Sequence, residues 1–201
     1  MRKLQKWTAV LAVLLGTAGC AAGPENKLAR IRDAAQKADA VEARVYAPEA
    51  WADAHDLSTR LDAELRAQEG ATVWFRDYGK AERLAARTLE AMRGATEDAR
   101  AGKERARAKA LSLIAEAETK LHEVRDLLNR VPHSEGAEPN LSMLSSDAND
   151  VETTLTDVQR AFASGDYASA RTGAETLLVS LETLEAEVEA AGDDPPGSRV
   201  S

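Results

Sequence analysis

The side chains able to do chemistry are few and scattered. The three histidines, His55, His122 and His133, stand far apart in the sequence. Glu118 and His122 lie one helical turn apart, a spacing that could hold a metal ion weakly and that equally describes a solvated helix pair. No Glu-x-x-His, His-Glu-x-x-His or Cys-x-x-Cys-His pattern occurs, so di-iron, zinc-hydrolase and haem ligation all lack their usual ligand spacing. A serine or threonine nucleophile needs a base beside it on an exposed turn, and none of the hydroxyls carries that signature. No phosphate-cradling glycine loop is present. The expectation is a chain with no catalysis, no cofactor and no metal.

Two other groupings invite a binding role. Arg100, Lys103, Arg105, Arg107 and Lys109 crowd a short stretch relieved only by Glu104. Such a belt could dock an anionic partner, whether lipid headgroups, glycan acids such as those of peptidoglycan, or an acidic protein; it could also be the solvated connector between two bundles. Trp51, Trp74 and Phe75 gather in a chain with only eight aromatic residues. They form either an exposed recognition patch or the plug of a bundle end that alanine cannot fill.

The remaining reactive residue is the single cysteine, Cys20, and its setting is specific. Met1-Arg2-Lys3-Leu4-Gln5-Lys6 is positively charged, an apolar run from Trp7 to Leu15 follows, and Gly16-Thr17-Ala18-Gly19 leads into Cys20. A basic start, a short apolar core and a small-residue exit are the parts of a secretory signal peptide. The run falls well short of the roughly 20 residues that span a bilayer as a helix. Thr17-Ala18-Gly19-Cys20 resembles the lipobox of bacterial lipoproteins, with Thr17 where that motif most often has leucine. The resemblance implies cleavage before Cys20, a diacylglyceryl group on its thiol and acylation of the freed amine. Ala21 after the cysteine then points to the outer membrane, facing the periplasm. Two or three acyl chains hold a protein firmly where one is marginal.

Composition limits the rest. Without Arg2, Lys3 and Lys6 the chain keeps 23 basic residues against 34 acidic ones, a formal charge of −11. That balance argues against general nucleic-acid binding, which depends on basic surfaces displacing counterions from phosphates. With Cys20 lipidated, no thiol remains for a disulfide or thiolate metal site within one chain. Alanine accounts for 40 of the 201 residues. It is the best helix former and buries little surface, so thin, closely packed helices are expected.

The elements that carry these residues read as helices throughout. Leu28, Ile31, Ala35, Ala38, Val41 and Val45 recur at three- and four-residue steps, predicting a helix over 25–46. Pro48 opens the next, 48–69, with Ala50, Ala54, Leu57, Leu61 and Leu65 on one face. A long stretch from 77 to 131 has the seam Tyr78, Ala81, Ala85, Thr88, Met92, Ala95, Ala99, Gly102, Ala106, which Lys109 interrupts before it resumes shifted at Leu113. Gly94 and Gly102 are the places where it could bend. Helices over 140–163 and 166–191 flank the turn Ser164-Gly165-Asp166 with strict heptad spacing. Asp77-Tyr78 and Asp166-Tyr167 suggest a repeat, with Asp as cap and the Tyr ring filling the closing end of each hairpin. The fold class expected is all-α: two antiparallel three-helix bundles sharing one long helix, in the manner of a spectrin tandem. The divisions are a signal peptide (1–19), a lipidated linker (20–24), bundles at 25–102 and 103–191, and a disordered tail (192–201).

Tyr46-Ala47-Pro48-Glu49-Ala50-Trp51, followed by Asp77-Tyr78-Gly79-Lys80-Ala81-Glu82-Arg83-Leu84-Ala85, is similar to an Ala-rich domain of unknown function. That domain occurs in envelope lipoproteins associated with OmpA-like peptidoglycan-binding domains. The resemblance covers about residues 25–110 and implies no catalytic residues. The function expected is a membrane-tethered helical scaffold or adaptor of the bacterial cell envelope that binds a protein partner. The alternative is a glycan- or anionic-ligand-binding module that touches peptidoglycan through the basic belt.

Overall fold

The computed structural model describes residues 25–72, 77–131 and 138–193. The leader, Cys20, the 20–24 linker, Trp74, Phe75 and His133 lie outside them, as does the tail beyond Asp193. The fold is all-α, and the described residues form six helices: α1 (Glu25–Ala40), α2 (Ala43–Tyr46), α3 (Pro48–Gly70), α4 (Gly79–Arg130), α5 (Glu138–Ala163) and α6 (Tyr167–Asp193).

Two compact units emerge. Among the described residues the first comprises 25–40, 49–72 and 77–96, and the second 41–48, 97–131 and 138–193. The sequence division placed after Gly102 therefore moves to Thr96, and a short piece of the first predicted bundle, 41–48, belongs to the second unit.

The first unit draws its core from three helices: Ile31 and Ala34 of α1, Ala54 and Leu61 of α3, and Ala81, Ala85, Leu89 and Met92 of α4. Half of these are alanines, which bring helix backbones close and bury little surface each. Lys27 of α1 reaches Glu82 of α4 at 3.5 Å, and Lys80 of α4 reaches Glu64 of α3 at 2.5 Å. The Lys80 bond, then that from Gln68, holds the Glu64 carboxyl below its usual range.

The second unit has the bulkier core. Leu113, Ile114, Leu121 and Val124 of α4 meet Leu141, Leu144, Leu155 and Val158 of α5 and Leu177, Leu181, Leu184 and Val188 of α6. Around its rim Arg125 donates to both oxygens of Glu152, at 3.2 and 2.6 Å, and Gln159 donates to Glu118 at 2.7 Å. Lys120 pairs with Glu185. These bonds tie α4 to α5 and to α6.

The long helix runs without a break through Gly94 and Gly102. Its seam does not stop at Lys109, which is exposed. Burial passes from Ala106 to Ala110 and on to Leu113, Ile114 and Ala117, two successive four-residue steps where the heptad reading expected a three. Such a shift lets a nearly straight helix keep its buried face inward.

The first predicted helix is corrected. It does not continue from 25 to 46 but ends at Ala40 and restarts at Ala43. Between them Glu42 adopts a left-handed backbone (φ 57°, ψ 45°), the one non-glycine residue with positive φ among those described. At the other end, α6 continues through Gly192 to Asp193, two residues into the segment expected to be disordered.

Candidate functional site

A grouping of charged and aromatic groups lies in the second unit, where 41–48, the middle of α4 and the α5–α6 turn supply Glu42, Tyr46, Gly102, Lys103, Phe162, Asp166 and Tyr167. It is built from a backbone necessity. A left-handed residue other than glycine costs about 1–2 kcal/mol, and Glu42 holds it while its carbonyl accepts bonds from Val45 (2.8 Å) and Tyr46 (3.1 Å). The resulting turn of helix buries Ala43 completely and brings the Tyr46 carbonyl against α4. A methyl group on residue 102 would stand 2.1 Å from that oxygen. Gly102 is thus the residue that admits α2, within an uninterrupted helix.

Lys103 follows from the same approach. It is half-buried, pairs with the Glu42 carboxylate, and holds its ammonium 5.3 Å from the centre of the Tyr46 ring, within cation–π range. The Glu42 bond, chiefly, raises its pKa above the usual lysine range. Its field also reaches Asp166, whose carboxyl is held low first by the backbone N–H of Ser169 and then by that residue's side chain. Asp166 accepts that N–H at 3.1 Å as the cap of α6. Tyr167 packs against Phe162 with ring centres 5.2 Å apart, filling the end where the hairpin closes. The matching Asp77 in the first unit differs in detail, accepting from Gly79 two residues on, at 2.8 Å. This cluster fixes charges and holds elements together; it presents no nucleophile beside a base.

The five-residue basic belt is therefore not one surface. Lys103 turns inward and is neutralised by Glu42. Arg100, Arg105, Arg107 and Lys109 are exposed, and of these only Arg107 has an ion partner among the described residues, Glu104 at 3.7 Å. Of the aromatic grouping, Trp51 is half-buried against the first core; Trp74 and Phe75 fall outside the described residues. His122 faces Asp126 at 3.6 Å, and Glu118 is engaged by Gln159. Among the described residues no group of three or more potential ligands could hold a metal ion.

Sequence reasoning missed Glu42, Tyr46 and Gly102 as one assembly. Nothing at 39–43 marks a helix break, since no glycine, proline or asparagine stands there. The available signal was Gly102 itself, a glycine at a seam position of a strongly helical stretch, where close approach of another backbone is a standard reason for it. No family model, curated protein or solved structure matches the chain.

Proposed function

We propose that the chain is a lipid-tethered, non-catalytic helical scaffold of the bacterial cell envelope, held in the outer membrane through Cys20, facing the periplasm, and binding a protein partner along its exposed helix faces. The observation that carries this reading is the N-terminal order of charges, apolar run and small residues closing on the single cysteine. Among the described residues no helix is long and apolar enough to cross a membrane. The outer faces of α4, α5 and α6 also carry exposed Leu111, Met143 and Val179, apolar groups that the unit's own core does not use.

The test is Cys20→Ser in cells. Labelled fatty acid is expected on the parent chain and absent from the variant, which should leave the membrane fraction; equal membrane partitioning of the two would refute the tether. Pull-down from detergent-solubilised envelopes is then expected to recover a stoichiometric protein. Recovery of cell-wall glycan instead, sensitive to charge reversal at Arg105 and Arg107, would replace the scaffold by the glycan-binding alternative.

A further inference from the structure

Helix α6 carries two heptad rows. One, Ala170, Ala174, Leu177, Leu181, Leu184 and Val188, is buried in the core of the second unit. The other, Thr172, Thr176, Val179, Thr183, Ala186 and Ala190, alternates steps of four and three and is exposed along its whole length. At 100° per residue it lies opposite the buried row. Val179 is 62% exposed, the most of any large apolar residue described. The row is less polar than its threonines suggest. Thr176 and Thr183 donate their hydroxyls to the helix's own carbonyls at Thr172 and Val179, each at 3.0 Å, leaving their methyl groups available to a partner. One flank is acidic at heptad spacing: Glu175, Glu182 and Glu189, all exposed, with Arg171 near Glu175 at 3.8 Å.

The second unit offers a counterpart. On the outer face of α4, Ala101, Glu104, Ala108, Leu111 and Ala115 alternate three and four and are exposed, with Leu111 at 57%. Arg100 and Arg107 flank this row at the same seven-residue interval, and Arg105 lies on its other side. Seven residues are about 10 Å along a helix, so the glutamates of one row and the arginines of the other share a common repeat. This is the pattern by which flanking charges choose partners in coiled coils.

We infer that the outer face of α6 docks on the outer face of α4 of a second copy of this chain. Each row points away from the same core, so the two cannot meet within one unit. Pairing α6 with α6 would set glutamates against glutamates, and α4 with α4 would set arginines against arginines; only the mixed pairing is complementary. Glu104, inside the α4 row, lies 3.7 Å from Arg107, a weak contact between exposed side chains that Arg107 can exchange for a glutamate of the second copy, and it meets no acidic residue in the α6 row. This deepens the scaffold reading by naming one protein partner, while the lipid tether is tested separately at Cys20.

The experiment uses the full chain carrying Cys20→Ser, so that introduced thiols are the only ones. One sample carries Val179→Cys, a second Leu111→Cys, and a short bifunctional maleimide is added to each alone and to their mixture. Cross-linked dimer is expected chiefly in the mixture. Glu182→Lys in the Val179→Cys chain is expected to lower the yield about tenfold, and Arg107→Glu in the other chain to restore it. Circular dichroism checks that these exposed substitutions leave the helices intact. Dimer forming as readily from the Val179→Cys chain alone, no dimer in the mixture, or no rescue by the second reversal would each overturn the inference.

Discussion

Replacing Gly102 by alanine tests the packing of the second unit most directly, with Gly94 as its control. Both glycines lie inside the same continuous helix, where alanine is ordinarily better by about 0.5–1 kcal/mol. At Gly94 a methyl group would meet nothing within 4 Å, so Gly94→Ala should be stabilising by about that amount. At Gly102 the methyl would stand 2.1 Å from the Tyr46 carbonyl oxygen and 3.0 Å from its carbon. These are backbone atoms and cannot swing aside as a side chain can. Segment 41–48 must shift, and the Glu42–Lys103 pair and the Tyr46 ring contact shift with it. Overpacking of this kind costs about 1–3 kcal/mol, and the helix-propensity gain is common to both sites, so Gly102→Ala should be less stable than Gly94→Ala by about 1–3 kcal/mol. In a chain of this size each kcal/mol moves the melting temperature by roughly 2–4 °C. Thermal unfolding followed by circular dichroism is therefore expected to place Gly94→Ala above the parent and Gly102→Ala below Gly94→Ala. Equal melting temperatures for the two variants would show that α2 does not seat against α4 as described.

Two further predictions follow from the same region. The Asp166 carboxyl is held below its usual range by the Ser169 bonds, so the stability it contributes is present above its unfolded pKa and is lost as pH falls through the lower folded value. Asp166→Asn should flatten that part of the acid limb in melting temperature against pH, whereas an unchanged limb would mean that the Ser169 bonds do not hold the Asp166 carboxyl low. At Glu42, glycine and glutamine separate strain from charge. Both variants lose the carboxylate pairing with Lys103, but only glycine relieves the left-handed backbone, so Glu42→Gly should be more stable than Glu42→Gln by about 1 kcal/mol. The reverse order in urea unfolding would mean that the backbone there is not strained.

The helical class and most of the buried rows were legible because the apolar spacing is regular. The α5–α6 hairpin shows this best: heptad spacing was expected over both helices, and the buried Leu144, Leu155, Leu177, Leu181 and Val188 keep to it. The interruption of the first helix was not legible, since its cause is tertiary. Ala43 and Ala47 are buried and Lys103 offers Glu42 a partner, and together these hold a conformation that local propensity at 39–43 disfavours. Lys109 misled for a related reason. A strict seven-residue reading puts it in the seam, and a four-four step on α4 takes it out. Of the basic belt, the residue types and their proximity were plain, but the inward turn of Lys103 depends on a residue 61 positions away.

The alanine seam has a calorimetric consequence. Alanine has no side-chain rotamers to freeze when it is enclosed, and it returns little greasy area to water when the chain opens. Ala34, Ala38, Ala54, Ala81, Ala85 and Ala95 of the first unit, each 4% exposed or less, occupy sites where most proteins keep leucine or phenylalanine. The heat capacity gained on melting scales with newly wetted apolar surface and is commonly about 12–15 cal/mol/K per residue. In the first unit it should sit below that range, giving a shallow dome of free energy against temperature and little weakening in the cold.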